Sequence, residues 1–170
     1  MKSIHIFLFL GFLGGLLAVH AQDLKLSNAK ITFEFPSKNV TGSISGFTSK
    51  SRINWEALES SVFEGSVDAS SLDTNNGLRN WHLRSSRYFA TKTYPRIYFK
   101  SSEVKWKEDL LVVKGKLTLK GTTKPITISF RRQGKQLLGS CSIYSSDYGI
   151  SIKKKREDNL VTIDFSFVAE

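Results

Sequence analysis

VKWKEDLLVVKGKLTLKGTTKPITISFRRQGKQLLGSCSIY, residues 104–144, decides the fold class of this chain. Leu111 and Val113, then Leu117 and Leu119, then Ile126, Ile128 and Phe130 recur at a period of two, separated mostly by polar or small residues. That spacing gathers the apolar set on one face of an extended strand, whereas a helix needs intervals of three and four. The alternation breaks at hairpin distances: Lys107-Glu108-Asp109, Lys120-Gly121-Thr122-Thr123-Lys124-Pro125 and Gln133-Gly134-Lys135. Such residues close tight turns, and connections this short cannot carry parallel crossovers, so the strands are expected to be antiparallel.

Outward from this stretch the pattern repeats. Ile31, Phe33 and Phe35 face one way, as do Val161, Ile163, Phe165 and Phe167. About eight strands are expected, near 24–36, 42–55, 61–70, 96–106, 109–120, 125–133, 136–147 and 159–168. One segment breaks the β pattern. Asp73-Thr74-Asn75-Asn76-Gly77 offers helix N-caps, and Leu78, Trp81 and Ser85 follow at helical spacing, which predicts a short helix over about 76–87. A weaker helical turn is expected at 56–59. The reading is all-β, and periodicity alone leaves an antiparallel barrel and a sandwich both open. Small residues in phase with the phenylalanines, Gly65, Ala69 and Gly115, leave room on the inward face, a mixture that a tightly packed core could also use.

The chain has 170 residues and a formal net charge of +10. Lys2, the apolar run IFLFLGFLGGLLAV and Val19-His20-Ala21 predict a cleavable leader over 1–21, with one domain over 22–170. The run is short for a membrane span, so the expectation is export, to a periplasm or outside the cell. Without the leader the count is 24 cations against 15 carboxylates. In an exported protein that balance favours transient contact with an anionic membrane surface over nucleic acid. The single cysteine, Cys141, rules out an intrachain disulfide and reads as a small buried residue.

A set of ordered motifs runs through almost the whole expected domain: Val40–Phe47, Ser66–Ala69, Leu72–Asn76, Leu78-Arg79-Asn80-Trp81-His82-Leu83-Arg84, Tyr88-Phe89, Tyr94–Ser101, Gly115–Pro125 and Asp147–Ile150. In order and spacing the set resembles the YceI-like lipid- or polyisoprenoid-binding family. The resemblance implies a lipocalin-like barrel rather than a sandwich: eight antiparallel strands, one short helix, and an apolar interior that takes a long isoprenoid or fatty chain. It also implies a homodimer. This sequence departs from the family at two places, with Asn80 and Ala90 where aspartate is usual.

By phase, the residues expected to line the barrel are Phe33, Phe35, Phe63, Val67, Phe99, Trp106, Leu117, Ile128, Phe130, Ile143, Phe165 and Phe167. Each methylene buried among them would contribute about 0.8 kcal/mol, so binding needs no chemistry on the ligand. His82, Arg84 and Arg87 are the candidate head-group contacts; Arg84 and Arg87, three apart, suit one phosphate or carboxylate if the helix runs through both. No cofactor or metal is implied, and no serine or cysteine is paired in sequence with His82 as a triad requires. The expected function is therefore a non-enzymatic carrier. Two alternatives remain at this point: an enzyme using His82 on an amphiphile, and an interaction module with a filled barrel. Lys153-Lys154-Lys155-Arg156 reads as the solvated flank of the last hairpin or as a membrane contact.

Overall fold

A computed structural model describes residues 23–169 apart from Lys25; the expected leader, 1–21, lies outside the described residues. Eleven strands follow in order: β1 (Asp23–Leu24), β2 (Leu26–Phe35), β3 (Val40–Ile44), β4 (Thr48–Ser49), β5 (Ile53–Asn54), β6 (Glu64–Asp68), β7 (Arg96–Lys107), β8 (Leu110–Leu119), β9 (Thr122–Gln133), β10 (Gln136–Tyr144) and β11 (Leu160–Ala169). One helix, α1 (Gly77–Arg84), lies between β6 and β7. Nine strands form one antiparallel sheet in the order β3-β2-β11-β10-β9-β8-β7-β6-β4, and β1 pairs with β5. Each of the eight expected segments holds strand. The segment 42–55 is split into three short pieces, the first break falling at Gly46, whose φ is +68°. The helix is shorter than expected, since the chain becomes extended at Ser85.

The sheet curls into a barrel, and its two edges meet. Ser43 and Asp73 exchange two backbone hydrogen bonds, and the Asp68 N–H donates to the Ser45 carbonyl. Arg96 fastens this seam: its Nη2 donates to the Gly46 and Ser66 carbonyls at 2.8 and 3.0 Å, and its Nε to Ser66 Oγ at 2.8 Å. The β8–β9 hairpin shows the turn chemistry plainly. Lys120 and Gly121 both have positive φ, as a two-residue type I′ turn requires.

Strand topology gives the barrel two unlike ends. At one end lie the connections 36–39, 69–95, 120–121 and 145–159; at the other lie 45–63, 108–109 and 134–135. The second end is plugged. Ile53, Leu111, Val113 and Leu137 are fully buried there, with Leu26 and Leu58 beside them. Arg132 clamps the plug by donating to the Trp55 carbonyl at 3.0 Å while its guanidinium lies over the Trp55 ring. Above this floor, phenylalanine rings lie against glycines of the neighbouring strand: Phe33 on Gly42, Phe99 on Gly115 and Phe130 on Gly139. A Cβ at any of the three glycines would collide with the ring. The rings thus cover the barrel wall instead of projecting across the interior, and the interior stays open.

Candidate ligand-binding cavity

The open interior is one cavity of about 840 Å³, within the range of small-molecule sites. Phe63, Phe130, Phe165 and Phe167 form its deep part, with ring centroids 5.5–6.2 Å apart in consecutive pairs. Leu117, Leu119, Ile143 and Ile150 line it nearer the unplugged end. The barrel is therefore not filled by its own side chains.

Eleven of the twelve residues expected to face inward line this cavity; Trp106 does not. Trp106 pairs with buried Leu111 and shares its face, but it sits past the floor, where it is 40% exposed. A bulge between Ser101 and Glu103 shifts the phase of β7, which is why Phe99 and Trp106, an odd number of residues apart, share a side. Ser101 is also bonded to the plug side, its Oγ accepting from the Phe63 N–H.

The mouth is built by α1 and the turns around it. Asn76 caps the helix by accepting from the Arg79 N–H at 2.9 Å. Asn80, on the inner face, is buried and bonded to Thr74 and Asp73, which fixes the rotation of the helix. That rotation turns Leu78, Arg79, His82 and Leu83 to the cavity. Of the three candidate head-group residues, His82 and Arg87 line the mouth and Arg84 does not. Because the helix ends at Arg84, the i, i+3 relation with Arg87 is not realised; Arg84 points instead toward the Leu72 carbonyl and lies in the field of Asp68 and Asp73. Sequence spacing also missed Arg79 and Lys38, which join His82 and Arg87 at the rim. Lys38 carries no motif signal; the fold alone places the 36–39 connection at the same cavity mouth as α1. The mouth thus has a cationic rim over an apolar shaft.

Further contacts stiffen the rim. Lys120 Nζ donates to the carbonyls of Arg87 and Gly149, both at 3.0 Å, tying the turn after α1 to the β10–β11 connection. Within that connection, buried Asn159 bonds the backbone of Ile152, Lys153 and Lys155, and Arg156 makes a two-pronged pair with Asp147. The pair holds the Asp147 carboxyl below its usual range. Cys141 lines the cavity, and burial, helped by Asp164, pushes its thiol up to about 12. Among the described residues no cluster of three His, Cys, Asp or Glu side chains could hold a metal ion.

A family model described as the YceI-like domain matches residues 23–169. The UPF0312 protein plu2095 of Photorhabdus laumondii is 45% identical over 69 residues, 41% of this chain and 36% of that protein. Protein YceI of Escherichia coli O157:H7 is 41% identical over the same shares. The aligned stretch thus spans about a third of the length of these relatives. Among solved structures, Burkholderia cenocepacia BcnA superposes with a TM-score of 0.70 at 21% identity, covering 84% of this chain and 96% of that one. A polyisoprenoid binding domain from Saccharophagus degradans, implicated in plant cell wall breakdown, gives 0.61 at 16% identity, covering 88% and 98%. At these identities the likeness to the solved structures is one of fold.

Proposed function

This chain belongs to the YceI-like domain family, and from that premise we propose that it is a non-enzymatic carrier of a long apolar chain, isoprenoid or fatty. The chain lies along the phenylalanine-lined shaft, its far end against Phe63, Phe130, Phe165 and Phe167. Its polar head rests at the mouth beside His82 and Arg87, with Arg79 and Lys38 on the same rim. Burial among these side chains contributes about 0.8 kcal/mol per methylene, and the rim favours a head that bears phosphate or carboxylate. The observation that carries this reading is the open apolar cavity of about 840 Å³ beneath a cationic mouth. In keeping with it, residues 1–21 are an export leader, the remainder is one barrel domain, and the carrier works in a periplasm or outside the cell at an anionic membrane.

Native mass spectrometry of the freshly purified protein, followed by solvent extraction, tests the reading. The expected result is a mass increment that solvent removes and that an added isoprenoid or fatty acid restores. Protein that carries nothing and takes up nothing would overturn it.

A further inference from the structure

The two ends of the barrel differ in charge as sharply as they differ in packing. The connections at the mouth carry ten cations against four carboxylates, and those at the plugged end carry three against four. The mouth cations come from every connection there: Lys38, the arginines on and after α1 with Lys92, Lys120, and the run Lys153–Arg156. Two of the four mouth carboxylates are already engaged, Asp147 by Arg156 and Asp73 by Asn80 and the Asn75 N–H. The remaining two, Glu157 and Asp158, stand at the start of β11.

Among these cations α1 presents apolar surface to solvent. Leu78 is 68% exposed and Trp81 67%, the two most exposed large apolar side chains among the described residues. They are three apart and so lie on one side of the helix. Leu78 also lines the cavity mouth, so the exposed apolar patch and the shaft are continuous. Tryptophan beside arginine and lysine suits the boundary between head groups and acyl chains, where the ring is half wetted and the cations meet anionic head groups. No helix among the described residues is long and apolar enough to cross a membrane, and α1 has eight residues, so contact of this kind is superficial.

We propose that the mouth of the barrel docks on an anionic phospholipid bilayer through Leu78 and Trp81 of α1, with the surrounding cations against the lipid head groups. This rests on the carrier reading and adds how cargo is exchanged. With the mouth against the bilayer, an apolar chain moves between acyl region and shaft past Leu78 without crossing bulk water. Orientation follows from charge, since the plugged end offers no net attraction.

Co-sedimentation with vesicles of equal parts phosphatidylglycerol and phosphatidylcholine tests the docking, with pure phosphatidylcholine as the neutral arm. Binding is expected only to the anionic vesicles and should fall at least about tenfold between low and high salt as the charges are screened. Lys92→Glu, which lies outside the cavity, removes one attraction and adds one repulsion, so binding should weaken about 25-fold, at about fivefold per unit charge. Lys135→Glu at the plugged end should leave it unchanged. In a Trp55→Phe/Trp106→Phe background, emission from Trp81 should shift to the blue on the anionic vesicles. Failure of the anionic vesicles to bind, an unshifted Trp81, or equal sensitivity to Lys92→Glu and Lys135→Glu would each overturn the docking. Mass spectrometry of retained lipid separates the two proposals. Lipid-loaded protein that ignores vesicles sinks the docking and leaves the carrier, whereas protein that docks in the expected orientation but carries nothing supports the docking and sinks the carrier.

Discussion

The Asn80 amide donates from Nδ2 to Asp73 Oδ1 at 2.8 Å, while its own oxygen accepts from the Thr74 N–H and hydroxyl at 2.9 and 2.7 Å. Asp73 in turn belongs to the seam, through its backbone pair with Ser43. One buried amide therefore joins the helix at the mouth to the closure of the barrel. A carboxylate at position 80 could not donate here, so the asparagine of this chain matches its local partners. Asn80→Ala should lower stability by about 1–3 kcal/mol by stranding the buried Thr74 donors, which chemical denaturation would measure.

Asn80→Asp should differ from wild type in the sign of its pH dependence. In the native chain the Asn80 hydrogen bond, then the Asn75 N–H and Arg84, hold the Asp73 carboxyl below 3.8. Its stabilisation is present above that value and lost as pH falls through the lower folded value. In the variant, a carboxylate at 80 is buried against a second one and titrates above its usual range, so it destabilises at neutral pH and recovers as pH falls toward that raised value. Thermal melts at pH 7 and 5 should show the variant gaining on wild type at the lower pH. Equal differences at both values would sink this account.

Gly139→Ala puts a methyl group where the Phe130 ring now lies. The ring must move into the shaft, at a cost of about 1–3 kcal/mol in denaturation experiments. If the carrier reading holds, the longest chain retained should shorten as well, read from the mass of extracted lipid.

Ala90 holds φ at +47° in a buried turn, with its carbonyl accepting from the N–H groups of Thr93 and Tyr94. Glycine takes that backbone conformation without the steric penalty of a Cβ. Ala90→Gly should therefore raise stability by about 1 kcal/mol, seen as a shifted denaturation midpoint at unchanged slope.

Cys141 should resist thiol reagents in the native state at pH 8, because burial and Asp164 keep the thiol protonated up to about 12. Labelling should become rapid once denaturant opens the barrel. Fast labelling of native protein would mean that the shaft admits water and reagent as far as β10.

Where the chain repeats at a period of two, the sequence was enough to place the residues. From β8 through β11, side-chain phase and face are locked together, so the alternation alone assigns Leu117, Ile128, Phe130 and Phe167 to the interior. Trp106 shows the limit of phase, which assigns a side but not a depth along the axis. Arg84 shows a second limit: the i, i+3 relation to Arg87 depended on a helix that ends at Arg84 itself. Parts of the plug and of the rim were illegible for a shared reason. Ile53, Trp55 and Leu58 lie in short strands and turns without period, and Lys38 shares the mouth with α1 only because the fold brings two distant connections to one cavity.

Because Ile53, Leu111, Val113 and Leu137 seal one end, the barrel is a container and not a conduit. On the carrier reading, a chain lodged in the shaft leaves by the door through which it entered, and an incoming chain cannot push it out from behind. Exchange must pass through an emptied barrel, so its rate should saturate at the departure of the resident chain however much newcomer is supplied.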